Sequence, residues 1–369
     1  MFIERHSVKE KENVYAVIMA GGVGTRFWPR SREKNPKQLL EIAGAGTMIE
    51  NTVLRIRGLV DEKNIFVVTN KAQKAAVIKQ LPNVPVENIL VEPIGRNTAP
   101  CIGLAALFVH RLSPDGVMIV LPADHIIGDE QEFVRVLETG VQVASSSSSL
   151  VTIGIKPTRA ETGYGYIQII EDESAGTGSD VYRVKTFAEK PNAQIAEQFV
   201  RSGDFLWNSG MFIWRADAIL EEIKRLLPEM HEQLQSIAHA IGTPLFEHTL
   251  EQAYGIIRGV SIDYGVMEKA RDVRVLKGDF GWNDVGSWDE VYRITEKDEK
   301  GNCVSGKAIP INSKNTYIHA GTKLIATVGV EDLIIIETPD ALLICKRGES
   351  QDVKEVVDFL RRKQMNEYL

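Results

Sequence analysis

One short apolar run that ends in glycines constrains this chain more than anything else in it. Residues 14–20, Val-Tyr-Ala-Val-Ile-Met-Ala, are followed by Gly21-Gly22-Val23-Gly24-Thr25-Arg26-Phe27-Trp28-Pro29-Arg30. A continuous apolar segment rich in Val and Ile, stopped by glycines, predicts a central strand of a parallel sheet that ends in a tight turn. Without Cβ atoms, Gly21, Gly22 and Gly24 let main-chain N–H groups approach a di- or triphosphate, and Thr25, Arg26 and Arg30 add donors and positive charge. Two familiar loops fail on spacing. Phe27 stands where a dinucleotide fingerprint needs its third glycine, and no Gly-Lys-Ser/Thr closes the loop as a Walker motif requires. A little further on, Asn35-Pro36-Lys37-Gln38-Leu39-Leu40 places Lys37 after a proline that keeps it out of a helix, where its point charge could reach the same phosphates.

The pattern then alternates. Periodicity predicts a helix over residues 48–59, a strand over 65–69, a helix over 72–80, a strand over 89–91, a helix over 99–112 and a strand over 117–121. Strand-helix-strand units of this kind build a sheet covered on both faces, with right-handed connections. Ligands in such folds sit beyond the carboxyl ends of the strands, so the loops after Ala20, Val91 and Leu121 are expected to share one cleft. The serine run at 145–149 reads as a helix end or plain loop without function. From 151 to about 290 glycines and aromatic residues punctuate the chain, at Gly163-Tyr164-Gly165-Tyr166, Trp207-Asn208-Ser209-Gly210 and Gly281-Trp282-Asn283-Asp284-Val285-Gly286-Ser287-Trp288, where a second ligand could be shaped. Residues 296–301 look like a charged connector, and beyond them come short strands until an amphipathic stretch at 353–362.

With 369 residues and 44% hydrophobic composition the chain can bury a large core and divide into two domains. A net charge of -7 argues against general nucleic-acid binding, so anionic ligands have to be met by local charges and metal. The three cysteines, Cys101, Cys303 and Cys345, have no CxxC spacing, which suggests neither zinc nor a disulfide framework and fits a reducing cytoplasm. Residues 1–13 are polar, unlike a signal peptide, and no apolar run is long enough to span a membrane.

The stretch from Met19 to Leu40 resembles the signature of the sugar nucleotidyltransferases. Its Phe27-Trp28-Pro29 and Pro36-Lys37-Gln38 variants resemble the mannose-1-phosphate guanylyltransferases (GDP-mannose pyrophosphorylases) in particular. The resemblance covers residues 14–291 with specific motifs and the C-terminal segment more weakly. It implies an α/β fold: a Rossmann-like mixed, mainly parallel sheet flanked by helices, of the glycosyltransferase-A-like kind, with a small β-rich C-terminal domain like a left-handed β-helix. The expected organisation is a polar tail at 1–13, a catalytic domain at 14–295 and a C-terminal domain with a terminal helix at 296–369. Some relatives carry a fused isomerase domain of the cupin type beyond this point; with the sequence ending at Leu369, that second activity is not expected.

Asp124, in Leu121-Pro122-Ala123-Asp124-His125, ends an apolar strand where a carboxylate can reach the cleft; on local sequence an ordinary loop or helix-capping aspartate is an equal reading. Asp284 is a weaker candidate alone. Together they suit Mg²⁺, or another divalent cation such as Mn²⁺, because magnesium takes one or two carboxylates plus phosphate oxygens and water. The family pattern matches at both positions; His125 reads as a support for the loop. Glu92-Pro93-Ile94-Gly95-Arg96-Asn97-Thr98-Ala99-Pro100 follows a strand, and helix capping by Thr98 with Pro100 in the first turn explains part of it. Resemblance implies that this loop meets the nucleotide base, with Glu92 able to accept from the N–H edge of guanine. Ala20, Gly21, Gly22, Gly24, Thr25, Arg26 and Lys37 complete the implied nucleotide site, with Glu92, Pro93, Gly95, Arg96, Asn97 and Thr98. The implied sugar phosphate site comprises Gly163, Tyr164, Gly165, Glu189, Lys190, Asn208, Gly210 and Asp263, although a surface Glu-Lys pair and a structural Asp263 are the plain alternatives. Gly301-Asn302-Cys303-Val304-Ser305-Gly306-Lys307 has Walker spacing, but Ala308 follows in place of the hydroxyl residue, so it reads as coincidence.

Neither a nucleophilic triad nor an obvious general base is visible. A sugar 1-phosphate needs none, since its second pKa of about 6 leaves it mostly dianionic near neutral pH. The expected reaction is in-line attack by mannose 1-phosphate on the α-phosphorus of GTP, with Arg26, Lys37, Asp124 and Asp284 as the catalytic group. Glucose 1-phosphate with UTP or dTTP, and a catalytically silent sugar-nucleotide sensor, are the alternatives. A cytoplasmic homodimer is expected, with no membrane or nucleic-acid partner.

Overall fold

A computed structural model describes residues 13–42, 44–170 and 180–369. The expected N-terminal tail lies outside the described residues except for Asn13, whose side chain accepts from Ser113 Oγ at 2.8 Å. By their contacts the described residues fall into two compact units, one made of those up to Gly21 with Thr52–Lys74 and Leu81–Asn283, the other of Gly22–Asn51, Ala75–Gln80 and Asp284–Leu369.

The first unit is built on one nine-stranded sheet. Strand β1 (Val14–Met19) is apolar on both faces and lies between β2 (Ile65–Asn70) and β4 (Val117–Pro122), parallel to both, with Ala16 opposite Ile65 and Ile119. β3 (Ile89–Glu92) adds a parallel edge next to β2. A strand covered on both sides needs no polar alternation, which is why these four runs read as unbroken hydrophobic sequence. Beyond β4 the sheet becomes mixed. β8 (Phe205–Arg215) runs antiparallel to β4 and to β5 (Leu150–Ile155), β9 (Val273–Gly278) is parallel to β5, and β7 (Val181–Glu189) and β6 (Gly165–Ile170) close the sheet.

The helices keep their predicted places with shifted ends. α1 (Met48–Ile56) stops short of residue 59 because the chain tightens, Leu59 N bonding back three residues to Ile56 O at 2.9 Å. α2 (Lys74–Gln80) starts late because Asn70 Oδ1 takes the Gln73 N–H at 3.1 Å and holds a turn there. α3 (Thr98–Leu112) is buried over most of its circumference, and Gly103 is needed on it: a Cβ there would lie 2.7 Å from Leu234 Cδ1 on the helix Pro228–Ala240.

In the second unit, β10 (Cys303–Ser305), β12 (Tyr317–His319) and β14 (Leu333–Glu337) pair in parallel, and the intervening β11 (Ala308–Ile311) and β13 (Ile325–Val328) pair in parallel with each other. The chain thus passes alternately through two sheets and returns in register, which is β-helix-like winding. β15 (Leu342–Lys346) ends it by turning back antiparallel on β14. The Walker-spaced run lies in β10 and its corners and leads into β11, as a coincidental match should. The helix Val353–Arg362 occupies the span read from the sequence, with Val353, Val357 and Leu360 buried along one face. Among the described residues no helix is long and apolar enough to cross a membrane.

Candidate functional site

In the first unit the strand ends meet. Ala20 N donates to Val68 O at 2.8 Å, Thr69 Oγ1 donates to Ala20 O at 3.1 Å, and Ala123 N donates to Met19 O at 3.1 Å. Gly21 is exposed, and a Cβ on it would sit 3.5 Å from Glu92 Oε2. The loops after β1, β3 and β4 therefore converge within this unit.

Glu92 closes β3 and is only 5% exposed. Its Oε1 has no hydrogen-bond partner among the described residues, and Tyr254, on the helix Phe246–Ile256, lies near the carboxyl group with its hydroxyl donating to Pro100 O at 3.3 Å. Burial pushes the Glu92 carboxyl up to about 7, against the smaller opposing effect of the nearby Tyr254 hydroxyl. Tyr254 carries no local motif and lies far along the chain, so sequence reasoning had no signal for it. Arg96 is directed into structure: its Nε donates to Tyr254 O at 3.0 Å and its Nη2 to Gly255 O at 3.4 Å. Asn97, at φ 71°, caps α3 by accepting from Thr98 N at 2.9 Å. The cap thus falls one residue before the expected Thr98, whose hydroxyl instead accepts from Ile262 N at 2.8 Å. Pro93 is half-buried, and Gly95 is exposed with open space around it among the described residues.

Asp124 lies two residues beyond the end of β4. Next to it His125 Nδ1 accepts from Trp282 Nε1 at 3.1 Å, which fixes the ring, and its carbonyl accepts from Arg55 Nη1 at 3.3 Å. His125 thus holds the loop in place.

The residues expected around the sugar phosphate are gathered in the same unit. Gly165 faces Glu189 across the β6–β7 pair, and any Cβ on Gly165 would overlap Glu189 Oε2. The Glu189 side chain is 8% exposed, pairs with Lys190 Nζ, and leaves Oε2 without a hydrogen bond among the described residues. Lys190 N donates to Tyr164 O at 3.2 Å, and the Tyr164 ring stands edge-on to Trp207 and Trp282. Gly163 N donates to Glu161 Oε1 at 3.1 Å. Asn208 Nδ2 donates to Asp263 Oδ1 at 2.8 Å, and Asn208 Oδ1 accepts from Gly210 N at 3.2 Å and Thr152 Oγ1 at 3.3 Å. The amide is thereby locked in one orientation. Burial, and then the nearby charge of Glu189, push the Asp263 carboxyl up to about 6. Two carboxylates, an ammonium group and an oriented amide make a surface suited to hydroxyls and one phosphate.

The second unit holds the rest of the glycine loop. Gly22 is exposed, and its carbonyl accepts from Gln38 Nε2 at 2.9 Å. Gly24, at φ 69°, precedes the short turn Thr25–Phe27, on which Arg26 is exposed. A Cβ on Gly24 would lie 2.6 Å from Lys37 Cβ, so glycine is required both by conformation and by space. Lys37 is 4% exposed, with its Nζ 5.2 Å from the centre of the Phe27 ring and donating to Asp284 O at 2.6 Å. Arg30 corrects an expectation. Its Nη2 donates to Glu41 O at 2.9 Å and its charge acts on Tyr317 and His319, so it belongs to the β-helix-like module and its charge is not set around the glycines.

The donor set suits magnesium in one respect: both candidate ligands are hard carboxylates, one at a strand end and one in a loop. Among the described residues no group of three or more His, Cys, Asp or Glu side chains could hold a metal by itself. Magnesium that serves a nucleotide takes one or two carboxylates, with phosphate oxygens and water completing its shell.

The nucleotidyl transferase family profile matches residues 15–301, so the chain is a nucleotidyl transferase. A second profile, the MannoseP isomerase/GMP-like beta-helix domain, matches residues 306–360. The mannose-1-phosphate guanylyltransferase of Klebsiella pneumoniae is 43% identical over 357 residues, covering 95% of this chain and 75% of that protein. One from Escherichia coli is 42% identical over the same length and the same shares. The crystal structure of a mannose-1-phosphate geranyltransferase, so named, from Thermus thermophilus superposes with a TM-score of 0.84 at 33% identity, over 95% of this chain and 99% of that one. The chain belongs to the mannose-1-phosphate guanylyltransferase family.

Proposed function

We propose that this chain converts mannose 1-phosphate and GTP to GDP-mannose and pyrophosphate. The observation that carries the reading is Lys37, a buried ammonium group held against the glycine loop by Gly24 on one side and Asp284 O on the other. A preorganised cation of this kind stabilises charge that develops on a phosphoryl group without reorganising at the moment of reaction. The family membership of the chain supports the choice of substrates.

In this reading the main chain at Ala20, Gly21, Gly22 and Gly24, with Thr25, cradles the triphosphate, while Arg26 and Lys37 neutralise the α-phosphate and the leaving pyrophosphate. Glu92 reads the base, with Pro93, Gly95, Arg96, Asn97 and Thr98 shaping its loop. Glu189, Lys190, Asn208 and Asp263, with Gly163, Tyr164, Gly165 and Gly210, orient the sugar phosphate so that its own dianionic oxygen attacks in line. Asp124 and Asp284 would hold Mg²⁺, or Mn²⁺, which supplies Lewis-acid charge neutralisation on the phosphates when bound. Catalysis is placed in residues 14–295 and the accessory module in 296–369.

The chain is further proposed to work in the cytoplasm, where its three free cysteines stay reduced. Homodimer formation is proposed through the β-rich module, on which Ile309, Ile311 and Val328 are exposed side by side; sedimentation would read it. The activity is tested by incubating the protein with each NTP and each hexose 1-phosphate and measuring pyrophosphate. GTP with mannose 1-phosphate should give the highest rate. A higher rate with UTP or dTTP and glucose 1-phosphate, or tight GDP-mannose binding without pyrophosphate release, would refute the assignment.

A further inference from the structure

The glycine loop is tied to the far end of its own unit. Trp28 Nε1 donates to Tyr368 O at 2.9 Å, and Arg32 Nη1 donates to the same oxygen. Arg32 Nη2 also bonds both carboxylate oxygens of Asp340, at 2.9 and 3.0 Å, in the turn between β14 and β15. Arg32 thus grips two parts of the C-terminal module at once, with its side chain only 16% exposed. Trp28 in turn accepts from Trp288 Nε1 through its carbonyl at 3.2 Å, and its neighbour Phe27 packs on Trp288 at 5.1 Å between ring centres. The Phe27 ring lies under Lys37, and Lys37 fills the space that the missing Gly24 side chain leaves.

We propose that Arg32 and Trp28 are positioning residues for the nucleotide, and that the segment carrying Tyr368 serves as a latch that keeps the glycine loop in its phosphate-binding form. This rests on the proposed nucleotide site. The physical need is plain: three glycines in four residues give the free loop a large conformational entropy, and unless something outside the loop fixes it, every binding event must order it anew. A shared acceptor for a tryptophan and a bidentate arginine is a rigid anchor, since the planar guanidinium satisfies Asp340 and the Tyr368 carbonyl in one geometry that an ammonium group cannot reproduce. Losing the latch should weaken nucleotide binding and leave the sugar phosphate site, built in the other unit, unchanged.

The test compares the full chain with Trp28→Phe, Arg32→Lys and a chain lacking residues 366–369, by calorimetric titration with GTP and separately with mannose 1-phosphate, alongside steady-state KM and kcat. The latch predicts a rise of roughly tenfold in Kd and KM for GTP in each variant, less than twofold for mannose 1-phosphate, and kcat within about threefold. Combining Trp28→Phe with the deletion should add little to the deletion alone, because both remove the bond to the Tyr368 oxygen, whereas Arg32→Lys also loosens the hold on Asp340. Trp28→Phe removes the indole donor and part of the ring that lies against Arg32 while leaving the Tyr368 segment in place, so it keeps the test open if the shortened chain fails to fold. Equal weakening of both ligands, or unchanged GTP binding in all three, overturns the latch. If the intact protein binds GTP but releases no pyrophosphate, the guanylyltransferase reading falls while the binding comparison still decides the latch; if it binds no GTP, both fall.

Discussion

Lys37 Nζ donates to the main-chain oxygen of Asp284 at 2.6 Å, although 247 positions separate the two in sequence. The lysine that follows the glycine loop and the aspartate of the Trp-Asn-Asp-Val-Gly motif are therefore one construction. Val285, at φ 46°, bends the chain just after the accepted oxygen, and Gly286 leaves room for the Asp284 carboxylate, which a Cβ there would approach to 3.3 Å. A shift of the lysine is felt by the aspartate's backbone, and the reverse.

Replacing Lys37 by Met removes the charge and keeps most of the packing under Phe27. It should lower kcat by about 10²-fold or more, within the range seen when a preorganised charge or donor is removed from a phosphoryl or oxyanion site. Lys37→Arg should not restore it, because the forked guanidinium cannot sit in a space bounded by Gly24 and Phe27. Pyrophosphate release and the thermal midpoint, measured together, separate loss of charge from loss of fold.

Glu92 gives a pH signature. Its carboxyl is raised from 4.5 to about 7, so between those values the folded chain holds a proton that the unfolded chain has released. Stability therefore falls as pH rises through that window and levels off above it, at a cost of about 3 kcal/mol for the full shift. If the ionised form accepts from guanine, GDP-mannose should bind more tightly as pH rises from 6 to 8. Glu92→Gln should flatten the binding profile and gain stability relative to the parent at pH 8. Titration calorimetry across this range checks the first expectation, and urea unfolding at pH 5 and pH 8 checks the second. A flat profile in the parent would separate Glu92 from base recognition.

What was legible in the sequence was whatever a local pattern could encode. The unbroken apolar runs at residues 14–20 and 117–121 became β1 and β4, and the amphipathic stretch at 353–362 became a helix with those bounds. The parallel winding of residues 303–337 was expected only through family resemblance, because strands of three to five residues carry little periodicity of their own. Hidden from the sequence were partnerships across long separations. Arg30 reads as a phosphate charge when seen beside glycines, and only the fold shows Glu41, Tyr317 and His319 around it. Tyr254 reaches Glu92 from a helix more than 150 residues away, and Thr98 surrenders its capping role because Ile262 N needs its hydroxyl.

Gly165 is a test of the sugar site that leaves the nucleotide loop alone. Alanine there cannot coexist with Glu189 Oε2 in its present place, so the carboxylate must swing away and take its ion pair with Lys190 with it. KM for mannose 1-phosphate should rise by tenfold or more, with the Kd for GTP within about twofold. Glu189→Gln should reproduce the effect without the steric push. Equal loss of both substrates in Gly165→Ala alone would point to damage in the sheet.

Asp124→Asn and Asp284→Asn keep the size of each side chain and remove its charge, so their effect should appear as a change in metal dependence before any change in fold. Magnesium binds neutral amide oxygens weakly and depends on one or two carboxylates to complement substrate phosphates. Each single variant should require a higher Mg²⁺ concentration for half-maximal rate and lose about 10²-fold or more in kcat. If both hold one ion as proposed, the double variant should lose little beyond the worse single, since two ligands of one ion act as a unit. Mn²⁺ binding followed by water-proton relaxation in the presence of GTP gives a readout independent of turnover, and should weaken in both single variants. If either variant keeps the parent's Mg²⁺ profile, that aspartate does not hold the metal and acts through the loop it belongs to. For Asp284, whose main-chain oxygen survives the substitution, the Lys37 bond would then be what the loop contributes.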